Sequence, residues 1–120
     1  MGKLAIDAMM DAALDYIRTN GTELYLCTAE PTDRANAIAI SLIAAATPSY
    51  AANADGDVSG RKMTVQQLTD ESLTASGTAN HIAICSGSTL LYVTTCTAQA
   101  LTSGGTVTIN AWDIEVADPV

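Results

Sequence analysis

The chain has 120 residues, the size of a single domain, so we expect residues 1–120 to fold around one core. Its formal net charge is −8 and its pI is about 4.1, and such acidity argues against binding to nucleic acid or to an anionic membrane. The sequence contains no Phe and only one Trp, so the core must be built mainly from aliphatic side chains.

The N-terminal segment, from about Leu4 to Thr19, is predicted to be an amphipathic helix. Its apolar residues recur at the helical period in one stripe, which comprises Ile6, Met9, Met10, Ala13, Leu14 and Ile17. The opposite face carries Asp7, Asp11, Asp15 and Arg18, and Asn20-Gly21 ends the helix. We therefore expect residues 1–21 to pack the side chains of Ile6, Met10, Leu14 and Ile17 against a sheet or a neighbouring subunit.

Residues 22–120 are predicted to form a β-domain, because the hydrophobic period changes to two after the helix. The segment Glu23 to Cys27 alternates and reads as a strand. For Ala37 to Ala44 the pattern fits either a strand or a short Ala-rich helix, and we favour the strand. Pro48 to Gly56 is predicted to be a loop, and Ser59 to Val65 a strand.

The C-terminal half contains the clearest strand patterns, at His81–Cys85, Leu90–Cys96, Thr106–Ile109 and Trp112–Val116. Ser86-Gly87-Ser88 joins the first two as a hairpin, and Gly104-Gly105 is predicted to be a second hairpin turn. The apolar alternation changes phase near Asn110-Ala111, which predicts a β-bulge there. The fold class is therefore mainly β: an N-terminal amphipathic helix followed by a sandwich or barrel of about seven short antiparallel strands.

The residues that could support catalysis or metal binding are few. The single histidine, His81, lies about 13 Å along its predicted strand from Cys85, too far for direct contact. Cys27 or Cys96 could approach it, but no spacing requires this, and we interpret the three cysteines as small buried hydrophobic residues. We predict no catalytic residue, no cofactor and no disulfide between Cys85 and Cys96.

Asn53, Asp55 and Asp57 alternate like the start of a calcium-binding loop. The pattern fails at Val58, where glycine is required, and at Thr64, where a bidentate Glu is required. We therefore interpret this segment as a solvated acidic loop and predict no metal site.

The chain resembles a family of small virion-associated structural proteins of tailed bacteriophages and prophages. The resemblance covers nearly the whole chain except about residues 38–55. It is carried by Leu14-Asp15-Tyr16-Ile17, Cys27-Thr28-Ala29-Glu30-Pro31, Ser59 to Lys62, Ala75 to Ala79, Leu91 to Cys96, Gln99-Ala100-Leu101 and Ala111 to Glu115. The C-terminal stretches are the most similar.

The resemblance implies a capsid decoration, or cement, protein that stabilises the head shell by binding the major capsid protein or another virion protein. It also implies a homo-oligomer, most simply a trimer, located in the virion after synthesis in the host cytoplasm. The acidic residues Asp7, Asp11 and Asp15 agree with synthesis there, since they are not expected in an export signal. Two alternatives stay open: a tail, neck or fibre-base virion protein, and a small ligand- or carbohydrate-binding β-module.

Overall fold

The computed structural model describes residues 7–56 and 60–116. The protein is mainly β, with an N-terminal helix followed by antiparallel strands in a sandwich-like arrangement, which confirms the predicted fold class. In chain order the elements are α1 (Asp7–Asn20), β1 (Glu23–Cys27), α2 (Arg34–Ala39), β2 (Ala54–Asp55), β3 (Arg61–Val65), β4 (Leu68–Ser72), β5 (Gly77–Cys85), β6 (Leu90–Leu101), β7 (Thr106–Ile109) and β8 (Trp112–Val116). No helix of the described residues has the length and apolar character needed to span a membrane.

One layer is a three-stranded sheet in the order β1-β5-β6. β5 and β6 form the predicted hairpin, in which Cys85 lies opposite Leu90, and both strands are longer than predicted. The outer edge of β1 is covered by the segment 41–46, because Leu24 exchanges two backbone hydrogen bonds with Ala46 and the Leu26 carbonyl accepts one from Leu42. The three cysteines are free thiols.

The facing layer is an antiparallel ribbon in which β3 pairs with β8 and β4 pairs with β7. Val65 lies opposite Trp112 and Leu68 lies opposite Ile109, so two residues on each strand separate the two ladders. The predicted bulge at Asn110-Ala111 is therefore wrong: the ladder is interrupted equally on both strands, with no extra residue on either. The irregular register lies instead in β4, between Leu68 and Glu71.

Gly104-Gly105 does not form the predicted hairpin turn. β6 and β7 belong to different sheets, so this turn carries the chain from one layer to the other. Gly104 has a φ of 90°, a conformation that glycine adopts without strain. The turn is held on the facing layer, because Leu73 N–H donates to the Gly105 carbonyl at 2.9 Å.

The predicted strand over Ala37 to Ala44 is also wrong at its start, where the chain forms α2. The Asp33 side chain caps this helix by accepting from Asn36 N–H at 2.7 Å. Arg34 at its first turn donates twice to the Glu23 carboxylate of β1, at 2.8 and 2.9 Å. This bidentate pair holds α2 over the outer face of the sheet, where Ala37 is fully buried.

The main core lies between the two layers and is aliphatic, as the composition requires. It includes Leu14, Leu24, Leu26, Leu42, Ile43, Met63, Val65, Ile82, Ile84, Ile109 and Ile114. A smaller cluster lies on the other face of the β1-β5-β6 sheet, beneath α2, and contains Tyr25, Cys27, Ala37, Ala83 and Cys85. Because α1 contributes to the main core, the helix and the strands share one hydrophobic interior.

Candidate functional site

The sandwich is open along one side, between β6 of one layer and β7–β8 of the other. This opening is a cleft of about 470 Å³. One wall is made by residues 94–97, 99 and 101 of β6, and the other by residues 107–112. Leu26, Ala79 and Ile82 of the main sheet also line it. The cleft therefore reaches the edge of the core between two strand edges that do not pair with each other.

Trp112 lies in the wall of the cleft and carries an unpaired donor. Its indole Nε1 is buried, and no acceptor among the described residues bonds to it. An unsatisfied buried donor costs about 1–3 kcal/mol, so this N–H is a site where an added acceptor would be favourable. Gln99 and Asn110 bring neutral amide groups to the same lining.

β6 is an unprotected sheet edge. It is a 12-residue strand, and among the described residues it pairs with β5 alone. Natural edge strands usually carry a charged side chain or proline that blocks pairing with another chain. β6 carries neither, although its register against β5 shifts twice, between Leu90 and Tyr92 and between Thr95 and Gln99, so that Tyr92 to Thr95 is its regular part.

The direction of the free hydrogen-bonding groups on β6 follows from the ladders. Leu24 of β1 bonds outward to Ala46, so its neighbour Tyr25 bonds inward to Ala83 of β5. On β5, the backbone N–H and C=O groups of Ile82 and Ile84 must then point toward β6, where these residues pair with Thr94 and Tyr92.

The residues of β6 between these bonded positions are Val93 and Thr95. Because neighbouring residues of a strand direct their backbone groups to opposite sides, both residues turn their N–H and C=O groups toward the free edge. The Thr95 side chain is exposed, whereas that of Val93 packs in part against the cluster beneath α2.

This edge lies in a long uncharged part of the chain. From Ser72 to Trp112 the sequence contains no Asp, Glu, Lys or Arg, so all five basic and all 13 acidic residues lie elsewhere. β5, β6 and β7 fall entirely within it. The sequence interpretation missed this stretch, which a plot of charge along the chain would have shown. The fold places β6 and β7 of this stretch on the two walls of the cleft, and we call this part of the surface, β6, β7 and the cleft between them, the uncharged side.

Fewer residues of α1 are buried than the apolar stripe in its sequence predicted. Met10 and Leu14 are buried, and Ile17 is partly buried against the main core. Met9 and Ala13, which the pattern placed in the same stripe, are exposed. Ile6 lies outside the described residues. The described part of the stripe faces β3 and β8 of the same chain, so Met10, Leu14 and Ile17 pack within the protein.

Two of the polar helix residues predicted on the opposite face lie instead beside the buried stripe. Asp11 accepts from Arg61 Nε at 2.9 Å, and Arg61 also bonds Asp55 at 2.7 Å. Arg18 donates to the Ala51 carbonyl at 2.9 Å and to the side chain of Asn53. These bonds fix α1 to β3 and to the chain before it.

The same hydrogen bonds involve the segment whose sequence resembles the start of a calcium-binding loop. Asn53 and Asp55 are engaged by arginines, and Asp57 lies outside the described residues. Within residues 7–56 and 60–116, no three His, Cys, Asp or Glu side chains come close enough to hold a metal ion.

The ladder brings Cys27 directly opposite His81, an approach that the sequence left open. Burial, with smaller contributions from Cys85 and Cys96, raises the pKa of the Cys27 thiol to about 11. The His81 ring instead has Asn80 Oδ1 2.6 Å from its Nδ1. A nucleophilic cysteine needs a lowered thiol pKa, so the environment of Cys27 favours the unreactive, protonated form.

Comparisons with models of protein families, with curated proteins and with solved structures found no match.

Proposed function

We propose that the protein is a structural component of a tailed-phage virion, a capsid decoration protein that binds the major capsid protein and stabilises the head shell. The observation that carries the binding role is the uncharged side of the molecule, with the unprotected β6 edge and the cleft beside it. The virion location is supported by the resemblance in the C-terminal strands. The proposal includes self-association of the chain, for which the resemblance implies three copies.

The charge distribution supports attachment to a protein surface. The uncharged side allows close approach without burying an unpaired charge, which would be costly. The remaining surface is acidic and keeps the protein soluble before assembly. Interfaces of this kind are typically depleted of charge at their centre, with a polar rim, and β6 offers Thr and Gln beside Leu and Val.

Particles that lack this protein should lose infectivity and release DNA sooner than complete particles when heated or treated with a chelator. Repeated contacts across the shell would be missing, and each contributes a small free energy that symmetry multiplies. The measurement compares deleted particles, complete particles and deleted particles to which purified protein has been added back. Equal resistance of all three, with the protein found on the tail by cryo-electron microscopy, would favour the tail, neck or fibre-base role instead.

A second candidate function, a module that binds a small uncharged ligand, is favoured by Trp112. The cleft has the volume of an ordinary ligand pocket, and its lining combines Trp112, whose buried indole N–H has no acceptor among the described residues, with neutral amide and hydroxyl groups. Neutral hydrogen-bonding groups beside an aromatic ring suit an uncharged ligand such as a sugar better than a charged one.

If this second candidate is correct, a neutral oligosaccharide chosen from a glycan array should change the fluorescence of Trp112, the only tryptophan, in a saturable way. Trp112→Phe keeps an aromatic ring but removes the donor, so calorimetry should show about tenfold weaker binding. Thr102→Ala, at an exposed site outside the cleft lining, is the matched control. The absence of a saturable signal across the array would eliminate this candidate.

A further inference from the structure

We infer that two copies of this chain associate by pairing their β6 strands antiparallel, edge to edge, around a twofold axis at Thr94. The two β1-β5-β6 sheets would then form one continuous six-stranded sheet across the dimer. The inference goes beyond the proposed function and bears on it, because it assigns to a second copy of the chain the β6 edge that the proposed function also uses; the cleft stays available for a capsid contact.

The register follows from the two residues with outward backbone groups. When Val93 faces Thr95 of the partner subunit, Thr95 in turn faces Val93 of the partner subunit. Each of these two pairs exchanges two backbone hydrogen bonds, so every outward N–H and C=O group of both residues is satisfied. Thr94 then faces Thr94 of the partner subunit in the closer, non-hydrogen-bonded pair between them.

A second copy fits this edge because its β6 has the required chemistry. The incoming strand must be extended, have a free edge and bring no negative charge, since each copy carries a net charge of −8. β6 is uncharged over all 12 residues, and its regularly paired part, Tyr92 to Thr95, is extended with a free edge.

The strands of the facing layer do not meet these conditions. β8 carries Asp113 and Glu115, and β4 carries Asp70 and Glu71, so pairing either with its own copy would bring like charges together. β7 is uncharged, but it has only four residues in all and pairs directly with the acidic β4. Among these edges, β6 is therefore where two acidic copies can meet with the least repulsion.

This contact also differs from the oligomer that the resemblance implies. Antiparallel pairing of a strand with itself uses the same patch on both subunits and closes at two copies, not three. The pairing runs along Thr94 and Thr95, at the rim of the cleft, so it would bring the clefts of the two copies to the same side of the joined sheet.

The test is the mass of the full-length protein in solution, measured by light scattering and sedimentation over a concentration series. We expect the wild type to reach twice its 12.4 kDa. Thr95→Pro removes one outward N–H without removing a bond to β5, so it should leave the circular dichroism spectrum unchanged and yield a monomer. Thr95→Val, which keeps the N–H, should remain dimeric.

Two further variants keep the inference falsifiable if proline disturbs the fold. Thr95→Lys adds a charge at the exposed edge position and should also yield a monomer. Thr94→Cys places two thiols across the twofold axis at a distance a disulfide can span, so mild oxidation should cross-link it, whereas Thr102→Cys should not cross-link. A wild-type protein that is monomeric at every concentration or trimeric, or a Thr95→Lys variant that remains dimeric, would overturn the inference.

Discussion

Replacing Leu14 with alanine is expected to lower the free energy of unfolding by about 2–5 kcal/mol. The Leu14 side chain is fully buried where α1 packs onto β3 and β8. Its truncation would remove apolar contacts and leave a cavity bounded by strands that cannot close in, because Arg61 and Arg18 fix the helix position from both sides. Chemical denaturation followed by circular dichroism measures the loss.

Met9→Ala is the matched control, because Met9 lies on the same helix but is 59% exposed. Its effect should stay within about 0.5 kcal/mol, as for most surface substitutions. Equal losses in the two variants would mean that α1 does not bury the stripe described above. An unchanged stability of Leu14→Ala would show that the helix contributes little to the core.

Gly21→Ala is expected to destabilise the protein by about 1–3 kcal/mol or more, because the added methyl group has no room. A Cβ atom there would lie 2.6 Å from the Ile17 carbonyl oxygen, 2.7 Å from an Ile84 methyl group and 2.7 Å from the Tyr50 hydroxyl. The Ile17 oxygen already accepts from Gly21 N–H, and the Tyr50 hydroxyl donates to the Gly21 carbonyl at 2.7 Å. Neither group can move away without breaking a hydrogen bond.

Gly87→Ala provides the comparison, since a Cβ atom in the β5–β6 turn meets no atom within 4 Å. Its stability should match the wild type to within about 0.5 kcal/mol. Tyr50 offers a second readout for Gly21→Ala: burial raises the pKa of its hydroxyl to about 12. If the alanine displaces this side chain, tyrosine ionisation monitored by absorbance should move to lower pH, whereas a tolerated methyl group would leave both quantities unchanged.

The sequence predicted the strands whose side chains alternate without interruption. β1, β7 and β8 have the predicted bounds, because each has one face on the core and the other toward solvent or a helix. β4 was missed, since Asp70 and Glu71 break its alternation where the register is irregular. The extensions of β5 and β6 were missed because their added residues, except Leu101, are small or polar and show no apolar period.

The failure at α2 has a partly tertiary cause. The segment from Arg34 to Ala39 is rich in alanine, which favours a helix, and this helix is stabilised by the Asp33 cap, the Glu23–Arg34 pair and the burial of Ala37 over β1. The Asp33 cap is local and could have been read from the sequence, whereas the other two contacts involve β1 and could not.

The candidate site was predictable only in part. Trp112 stood out in the sequence as the single tryptophan, and the uncharged stretch that includes β6 could have been found from composition alone. The openness of the cleft and the direction of the Thr95 backbone could not have been found, because both depend on which strands pair. Topology, rather than any local motif, creates this surface.

The two-sided interruption of the ribbon has a consequence for insertions and deletions during evolution. Gln66-Gln67 and Asn110-Ala111 are exposed and lie outside both ladders, so the strand pairing itself does not fix their identities. Their number is strongly constrained, because losing one residue from one strand alone would slip β8 against β3 and break the pairing of Val65 with Trp112. A compensating loss opposite it would restore the register. Related chains should therefore change length at these two places together or at neither.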